Sequence, residues 1–111
     1  MISSTSMSIF GLRLREARLR AGIPQDQLGV LIGLDESTAS ARISRYESGI
    51  HAAPYDIAVK LAQALSIPTP YLYCEDDELA ALMLAWVMLS KTKKTQIKRV
   101  IGLLPEDTTA K

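Results

Sequence analysis

The sequence predicts an all-α fold, and three observations support this prediction. Apolar residues recur at intervals of three and four along most of the 111 residues, as they do on the buried face of a helix. No segment shows the strict alternation of apolar and polar residues that marks a half-buried strand. Glycine and proline stand between the periodic segments, where helices end and begin. Hydrophobic residues make up 48% of the chain, enough for the core of one compact domain.

Two glycines and a proline delimit the first two helices. We expect the first helix over about residues 8–21, with Gly22 as its C-terminal cap. Pro24 suits the start of the second helix, because its missing N–H costs nothing in a first turn. This helix extends to about Ile32, and Gly33 makes the turn that follows. The residues predicted to face the core are Phe10, Leu14, Ala17, Ala21, Leu28, Leu31 and Ile32.

The third helix ends near Glu47, whereas its start is open, because Asp35, Ser37 and Thr38 can each act as its N-cap. One face is predicted to lie in the core, since its apolar members recur at helical spacing. That face consists of Ala39, Ile43 and Tyr46. The residues expected to lie away from it are Thr38, Ala41, Arg42 and Arg45, with Ser40 and Ser44 at its flanks.

Three further helical segments complete the chain. A fourth helix is predicted over residues 55–65, and a short turn bounded by Pro68 and Pro70 presents Tyr71 and Leu72. Acidic residues precede a helix over about residues 76–89, which is apolar on nearly every side and therefore needs to be covered all round. A last, amphipathic helix is expected over about residues 91–104, with Pro105 ending it.

Charge and cysteine content bound the class of protein. The net charge is +1, so the chain is not strongly basic, and only local basic patches would meet nucleic-acid phosphates. Such patches occur in the first helix (Arg13, Arg15, Arg18 and Arg20) and in the last one (Lys91, Lys93, Lys94, Lys98 and Arg99). A single cysteine, Cys74, fits a reducing compartment. With no secretory signal and no long apolar run, the chain is expected to be cytoplasmic.

The segment from Leu28 to Pro54 has the outline of a helix-turn-helix, a motif whose second helix enters the DNA major groove. Residues 9–74 resemble the Cro/repressor type of this motif, found in phage repressors and Xre-like bacterial regulators. The matching pieces are Arg18-x3-Gly22, Pro24-Gln25-x2-Leu28, Gly33-Leu34, Ile43-Ser44-Arg45-Tyr46-Glu47-x-Gly49, Pro54 and Leu61-Ala62-Gln63-Ala64-Leu65. The resemblance implies a five-helix lambda-repressor-like DNA-binding domain, to which this chain adds two C-terminal helices.

The resemblance also implies roles for single positions. Gln25 would contact the DNA backbone and brace the recognition helix, and the loop that contains His51 would approach phosphates. Arg18 and Glu47 would form a structural ion pair between the first and third helices. The positions that usually face base edges are occupied here by Ser40, Ala41, Ser44 and Arg45.

The chain departs from the family between Leu34 and Ile43. Ile43 follows Gly33 by ten positions, about four residues more than is usual, which amounts to roughly one helical turn. Either the recognition helix starts one turn earlier or the preceding loop is longer. We slightly favour the longer helix, because a whole turn preserves the apolar face. It would bring Ser37 and Thr38 within reach of bases, and would push Asp35 and Glu36 toward phosphates that repel them.

The predicted DNA contacts differ in strength according to the chemistry of each side chain. Arg45 is the strongest candidate for base readout, because arginine can bind guanine O6 and N7 together, although a solvated surface arginine is the plain alternative. Arg42 is expected to contact a phosphate or to be solvated. Ala41 would contact a thymine methyl group or merely favour the helix. His51 has no neighbouring partners for a metal site or a catalytic base, and no cofactor or enzymatic constellation is expected.

The C-terminal helices have two interpretations, packing within the chain or a homodimer interface, and we favour the homodimer because operators are usually twofold. The predicted interface consists of Leu79, Leu82, Met83, Trp86, Val87, Ile97 and Ile101. The expected organisation is a flexible N-terminus (1–8), a DNA-binding domain (9–74), a dimerisation segment (75–105) and a flexible tail (106–111). The predicted function is a homodimeric regulator, most simply a repressor, that binds duplex DNA sequence-specifically. The alternative is an antitoxin-like or adaptor protein whose C-terminal helices bind another protein.

Overall fold

A computed structural model describes residues 8–105, and this part of the chain contains helices but no strand. The α-helices are α1 (Ile9–Ala21), α2 (Gln25–Leu31), α3 (Ala39–Ser48), α4 (Tyr55–Leu65), α5 (Asp77–Met88) and α6 (Lys91–Val100). A 3₁₀ helix, Thr69–Tyr73, lies between α4 and α5 and completes the five-helix domain. The predicted all-α class with two additional C-terminal helices is therefore confirmed. Of the flexible ends predicted at residues 1–8 and 106–111, residues 1–7 and 106–111 lie outside the described residues.

The core lies between α1, α2, α3, α4 and the 3₁₀ helix, and each contributes large buried side chains. The largest fully buried ones are Leu14, Leu28, Ile43, Leu61, Tyr71 and Leu72. The predicted inner face of α3 is confirmed, since Ala39, Ile43 and Tyr46 are all buried. The prediction for Leu31 is wrong, because Leu28 and Ile32 form the buried stripe of α2 and leave Leu31 55% exposed. Ala21, at the end of α1, is exposed as well.

Helices α2 and α3 approach each other closely at Gly29. A Cβ atom at this position would lie 2.5 Å from the Cβ of Ala39, closer than real carbon atoms come. The two helices of the motif therefore meet through a glycine and an alanine, and a side chain on Gly29 would force them apart.

The extra residues before α3 extend the loop, so the preference for a longer recognition helix is wrong. The backbone N–H and the hydroxyl of Ser37 donate to Asp35 Oδ1 over 2.9 and 2.6 Å, and the Thr38 N–H donates to the Asp35 carbonyl over 3.0 Å. Such local bonds from Asp and Ser side chains compete with helix formation, and α3 begins only at Ala39. The hydrogen bonds from Ser37 also lower the pKa of Asp35.

Two helix ends differ from the predictions for reasons of capping. Ser8, predicted to lie in a flexible end, caps α1, and its Oγ accepts a bond of 2.9 Å from the Gly11 N–H. Helix α6 ends at Val100, well before Leu104. Gly102 has a φ of +86°, and the Leu103 N–H donates to the Lys98 carbonyl over 2.7 Å. This glycine cap ends the helix before Pro105 can act.

Helices α5 and α6, with the residues up to Leu104, form a C-terminal arm (residues 77–104) that extends from the domain. Ala80 is the one buried residue of α5, and the described structure buries none in α6. The Cα radius of gyration is 17.4 Å, whereas a compact domain of this length has about 13 Å. The arm therefore leaves most of its apolar side chains in contact with solvent.

Candidate nucleic-acid interface

Helix α3 has a buried face and an exposed face. The buried face holds Ala39, Ile43, Tyr46 and Glu47, which anchor the helix in the domain. The exposed face presents four of the side chains predicted to read bases: Ser40, Ala41, Ser44 and Arg45. The fifth, Thr38, is exposed at the residue before the helix, where its hydroxyl donates to the Asp35 carbonyl over 3.3 Å. The structure thus brings these five residues to one side of the molecule.

A hydrogen-bond network around the buried Glu47 carboxylate fixes the orientation of α3. Arg18 Nε donates to Glu47 Oε2 over 2.5 Å, and a second guanidinium nitrogen donates to Oε1 over 3.1 Å. Gln25 Nε2 also donates to Oε1 over 3.1 Å, and the Ser40 hydroxyl donates to Gln25 Oε1 over 3.4 Å. Since these residues belong to α1, α2 and α3, the Glu47 carboxylate joins the first three helices.

Arg45 lies on the exposed face near the C-terminal end of α3. Within residues 8–105, its guanidinium takes part in no hydrogen bond or ion pair, so all its donors remain available to a ligand. Its backbone carbonyl accepts bonds from the His51 N–H over 3.2 Å and from the Ser48 hydroxyl over 3.3 Å. These bonds order the turn after the helix, and they place the exposed His51 beside it.

Arg42 is held against its own helix. One of its guanidinium nitrogens donates to the Tyr46 hydroxyl over 3.1 Å, and the guanidinium carbon lies 5.8 Å from the centre of the Tyr46 ring. The side chain is half-buried as a result. Arg42 therefore has fewer free donors for a phosphate than Arg45 has for a base.

Arg15 is an exposed residue of this surface to which the sequence analysis gave no separate role. It lines a shallow cleft beside Glu47, together with Gln25, Ser44 and Ser48. The available signal was its position three residues before Arg18, because that spacing places both on the same side of α1. The cleft brings an exposed arginine to the edge of the α3 surface.

The four arginines of α1 do not form the phosphate-binding patch that their number suggested. Arg13 and Arg18 are buried, and only Arg15 and Arg20 are exposed. Arg13 Nε donates to the Cys74 carbonyl over 2.9 Å, and another of its nitrogens donates to Asp77 Oδ1 over 2.9 Å. Burial by itself lowers the pKa of Arg13, but the bonds and charges of Asp77 and Glu16 outweigh it and raise the pKa. Arg13 is thus committed to contacts within the chain.

The predicted interface residues of the C-terminal arm differ in exposure. Five are exposed: Leu79, Leu82, Val87, Ile97 and Ile101. Met83 is half-buried against the core, and Trp86 is half-buried with the Lys94 ammonium 5.4 Å from its ring centre. Other apolar residues of the arm, such as Met88 and Val100, are exposed beyond the predicted set.

The described residues hold no group of three or more His, Cys, Asp and Glu side chains arranged to bind a metal ion. No helix between residues 8 and 105 has the length and apolar character needed to cross a membrane.

Known proteins are similar to this chain in sequence and in structure. A family model described as helix-turn-helix covers residues 14–72, more than half of the chain. A crystal structure of the transcriptional regulator BswR is similar to the chain with a TM-score of 0.81 and 45% sequence identity. The similarity covers 85% of this chain and 93% of that one, so it includes part of the C-terminal arm as well as the domain. No curated protein sequence matches the chain.

Proposed function

We propose, from the premise that the chain belongs to the helix-turn-helix family, that it is a homodimeric repressor which binds a twofold DNA operator. Its membership makes the chain a DNA-binding transcriptional regulator. The observation that carries the proposal is the exposed face of α3, where Arg45 is exposed and the bonds to the buried Glu47 carboxylate fix the helix.

Base readout is assigned to the exposed face of α3. Arg45 would donate two bonds to guanine O6 and N7, which gives about 1–3 kcal/mol of discrimination against other bases. Ala41 lies one turn before it and would contact a thymine methyl group. Ser40 and Ser44 are small enough to let the helix backbone approach the groove closely. Thr38, in the turn before α3, would contact the edge of the site.

Phosphate contacts would surround this face. Gln25 and Arg15 line the cleft on one side of α3, and His51 lies in the loop at its end. Arg42 would add a contact through the guanidinium nitrogens that Tyr46 leaves free. Such contacts set the register of the protein on the duplex and supply affinity, whereas the bases supply sequence choice.

Dimerisation is assigned to the C-terminal arm. Leu82 is 64% exposed and Val100 84% exposed, and large apolar side chains exposed together in this number along one segment are typical of an interaction surface. A second copy of the chain would cover the arm by a twofold contact, in which the same surface is used on both subunits. Two recognition helices would then meet half-sites about 34 Å apart, one turn of DNA.

Selection of duplexes from a random DNA pool tests this function, with the wild-type protein compared with Arg45→Ala and with Arg20→Ala. Arg20 is an exposed arginine of α1 and serves as the matched control. We expect a twofold motif from the wild type and from the control, and a motif with a weakened guanine preference from Arg45→Ala. A folded wild-type protein that enriches no motif would overturn the proposal and favour the adaptor function.

Repression is tested separately, by placing the selected motif over the promoter of a reporter gene. Expression is expected to fall when the wild-type protein is present and to recover with Arg45→Ala. A rise in expression with the wild-type protein would show activation and would contradict the repressor part of the proposal alone.

A further inference from the structure

Arg13 lies at the junction between the DNA-binding domain and the C-terminal arm. It is 4% exposed, and a buried guanidinium is costly unless hydrogen bonds and charges compensate it. Its Nε donates to the Cys74 carbonyl, at the end of the domain, and another nitrogen donates to Asp77, the first residue of α5. The guanidinium carbon also lies 5.6 Å from the centre of the Tyr71 ring. One side chain of α1 therefore contacts both ends of the link that leads into the arm.

Within residues 8–105, the other contacts that hold the arm against the domain are apolar. Ala80 is buried, and Met83 and Leu84 are half-buried against the core. Apolar contacts hold surfaces together but are not directional, so they tolerate small rotations of α5. The planar guanidinium of Arg13 has fixed donor directions, and rotation of α5 would break its bonds.

Helix α1 carries a second buried arginine, Arg18, which binds Glu47 and fixes α3. Arg13 and Arg18 are five residues apart, about 7.5 Å along the helix. Arg18 orients the recognition helix, and Arg13 orients the start of the arm. Because both belong to one rigid helix, the direction of the arm is defined relative to the recognition helix.

We propose that Arg13 is a positioning residue that sets the half-site spacing accepted by the dimer. This inference rests on the proposed function, because the arm must join two subunits for its direction to matter. A change of one base pair between half-sites moves one of them by about 3.4 Å and turns it by about 34° around the DNA axis. An arm whose direction is fixed by Arg13 keeps the two recognition helices from following this shift and rotation. An arm held by apolar contacts alone can rotate, so that both helices still reach their half-sites.

Spacing preference is the measurement that tests this role. Binding would be measured to duplexes that carry the selected half-sites at the best spacing and at one and two base pairs more or less. The variants are Arg13→Met and Asp77→Ala, and the matched control is Glu78→Ala, which removes the same charge from the same turn of α5. Asp77 is almost fully exposed and is not the N-cap, so its replacement leaves the helix intact even if Arg13→Met fails to fold.

We expect the wild type and Glu78→Ala to lose affinity about tenfold or more when the spacing changes by one base pair. For the same change of spacing, Asp77→Ala and Arg13→Met are expected to lose affinity about threefold or less. Both variants are expected to sediment as dimers. If Asp77→Ala keeps the spacing profile of Glu78→Ala, or if it becomes monomeric, the positioning role is overturned and the proposed function stands. If the wild type selects no twofold motif, the proposed function fails before any variant is compared.

Discussion

Replacing Glu47 with alanine would remove the carboxylate that joins α1, α2 and α3. Both partners of the ion pair are buried, with side-chain exposures of 11% for Arg18 and 5% for Glu47. The variant would leave Arg18 with one remaining bond, to the Ile23 carbonyl, and would leave the amide of Gln25 without its acceptor. Breaking a buried pair in this way typically costs about 3–5 kcal/mol, because a charge is left without compensation.

Such a loss is large for a domain of this size, whose free energy of unfolding is about 5–15 kcal/mol. Since 1 kcal/mol shifts the melting temperature of a small domain by about 4–8 °C, we expect Glu47→Ala to lower it by at least 12 °C. Thermal and urea unfolding followed by circular dichroism would measure the change. Glu36→Ala is the control, because Glu36 is exposed in the loop before α3 and its loss should change stability by less than about 0.5 kcal/mol.

A double variant separates the loss of the carboxylate from the charge that it leaves behind. Arg18→Met with Glu47→Leu replaces the buried pair by apolar side chains, which is often neutral or stabilising. We expect the double variant to unfold at a higher temperature than Glu47→Ala. The reasoning is refuted if Glu47→Ala melts within about 2 °C of the Glu36→Ala control, since the pair then contributes no stability.

Three further predictions concern other parts of the molecule. Gly29→Ala should lower the free energy of unfolding by about 1–3 kcal/mol in urea titrations, because its Cβ would meet Ala39, whereas the exposed Val30→Ala should be nearly neutral; equal effects would contradict the close approach. Leu82→Glu should sediment as a monomer where the wild type is a dimer, whereas Leu19→Glu, at a comparably exposed apolar site of α1, should remain a dimer; a dimeric Leu82→Glu would place the interface elsewhere. Because hydrogen bonds from Ser37 lower the pKa of Asp35, the ionised carboxylate stabilises the loop at pH values above its ordinary pKa of 3.8. This contribution is lost as the pH falls through the lower pKa of the folded state. The stability difference between wild type and Asp35→Ala should therefore be constant above pH 5 and shrink only below about pH 4, and a difference that shrinks near neutral pH would rule out this origin.

The sequence predicted the inner face of α3 well because its ten residues repeat an apolar pattern that one face can satisfy. Helix α2 has only seven residues, too few for periodicity to separate Leu28 and Ile32 from Leu31. The choice was made by packing, since the approach of Gly29 to Ala39 turns Leu31 outward. Short helices take their buried face from tertiary contacts, which a periodic pattern does not contain.

The start of α3 was mispredicted because a whole helical turn and a longer loop preserve the same apolar face. What separates them is the competition between helix formation and local side-chain bonds. Asp35 and Ser37 bond to each other and to nearby backbone, and this local turn removes Asp35 and Glu36 from the recognition helix. The recognition helix therefore begins with neutral residues, Ala39 and Ser40, and the two acidic residues lie in the turn before it.

Arg13 shows how a buried ionic residue can satisfy a periodic pattern and still be missed. The buried side of α1 includes Leu14 and Ala17, and helical spacing places Arg13 and Arg18 beside them on the same stripe. Because both are charged, their hydropathy assigns them to the surface, while their positions assign them to the interior. Resemblance to a family identified a role for Arg18, but no comparable pattern exists for Arg13, whose partners Cys74 and Asp77 lie more than sixty residues away. An arginine on the apolar stripe of a helix is therefore a sequence signal for a buried ionic contact, and its partner can be found only from the tertiary fold.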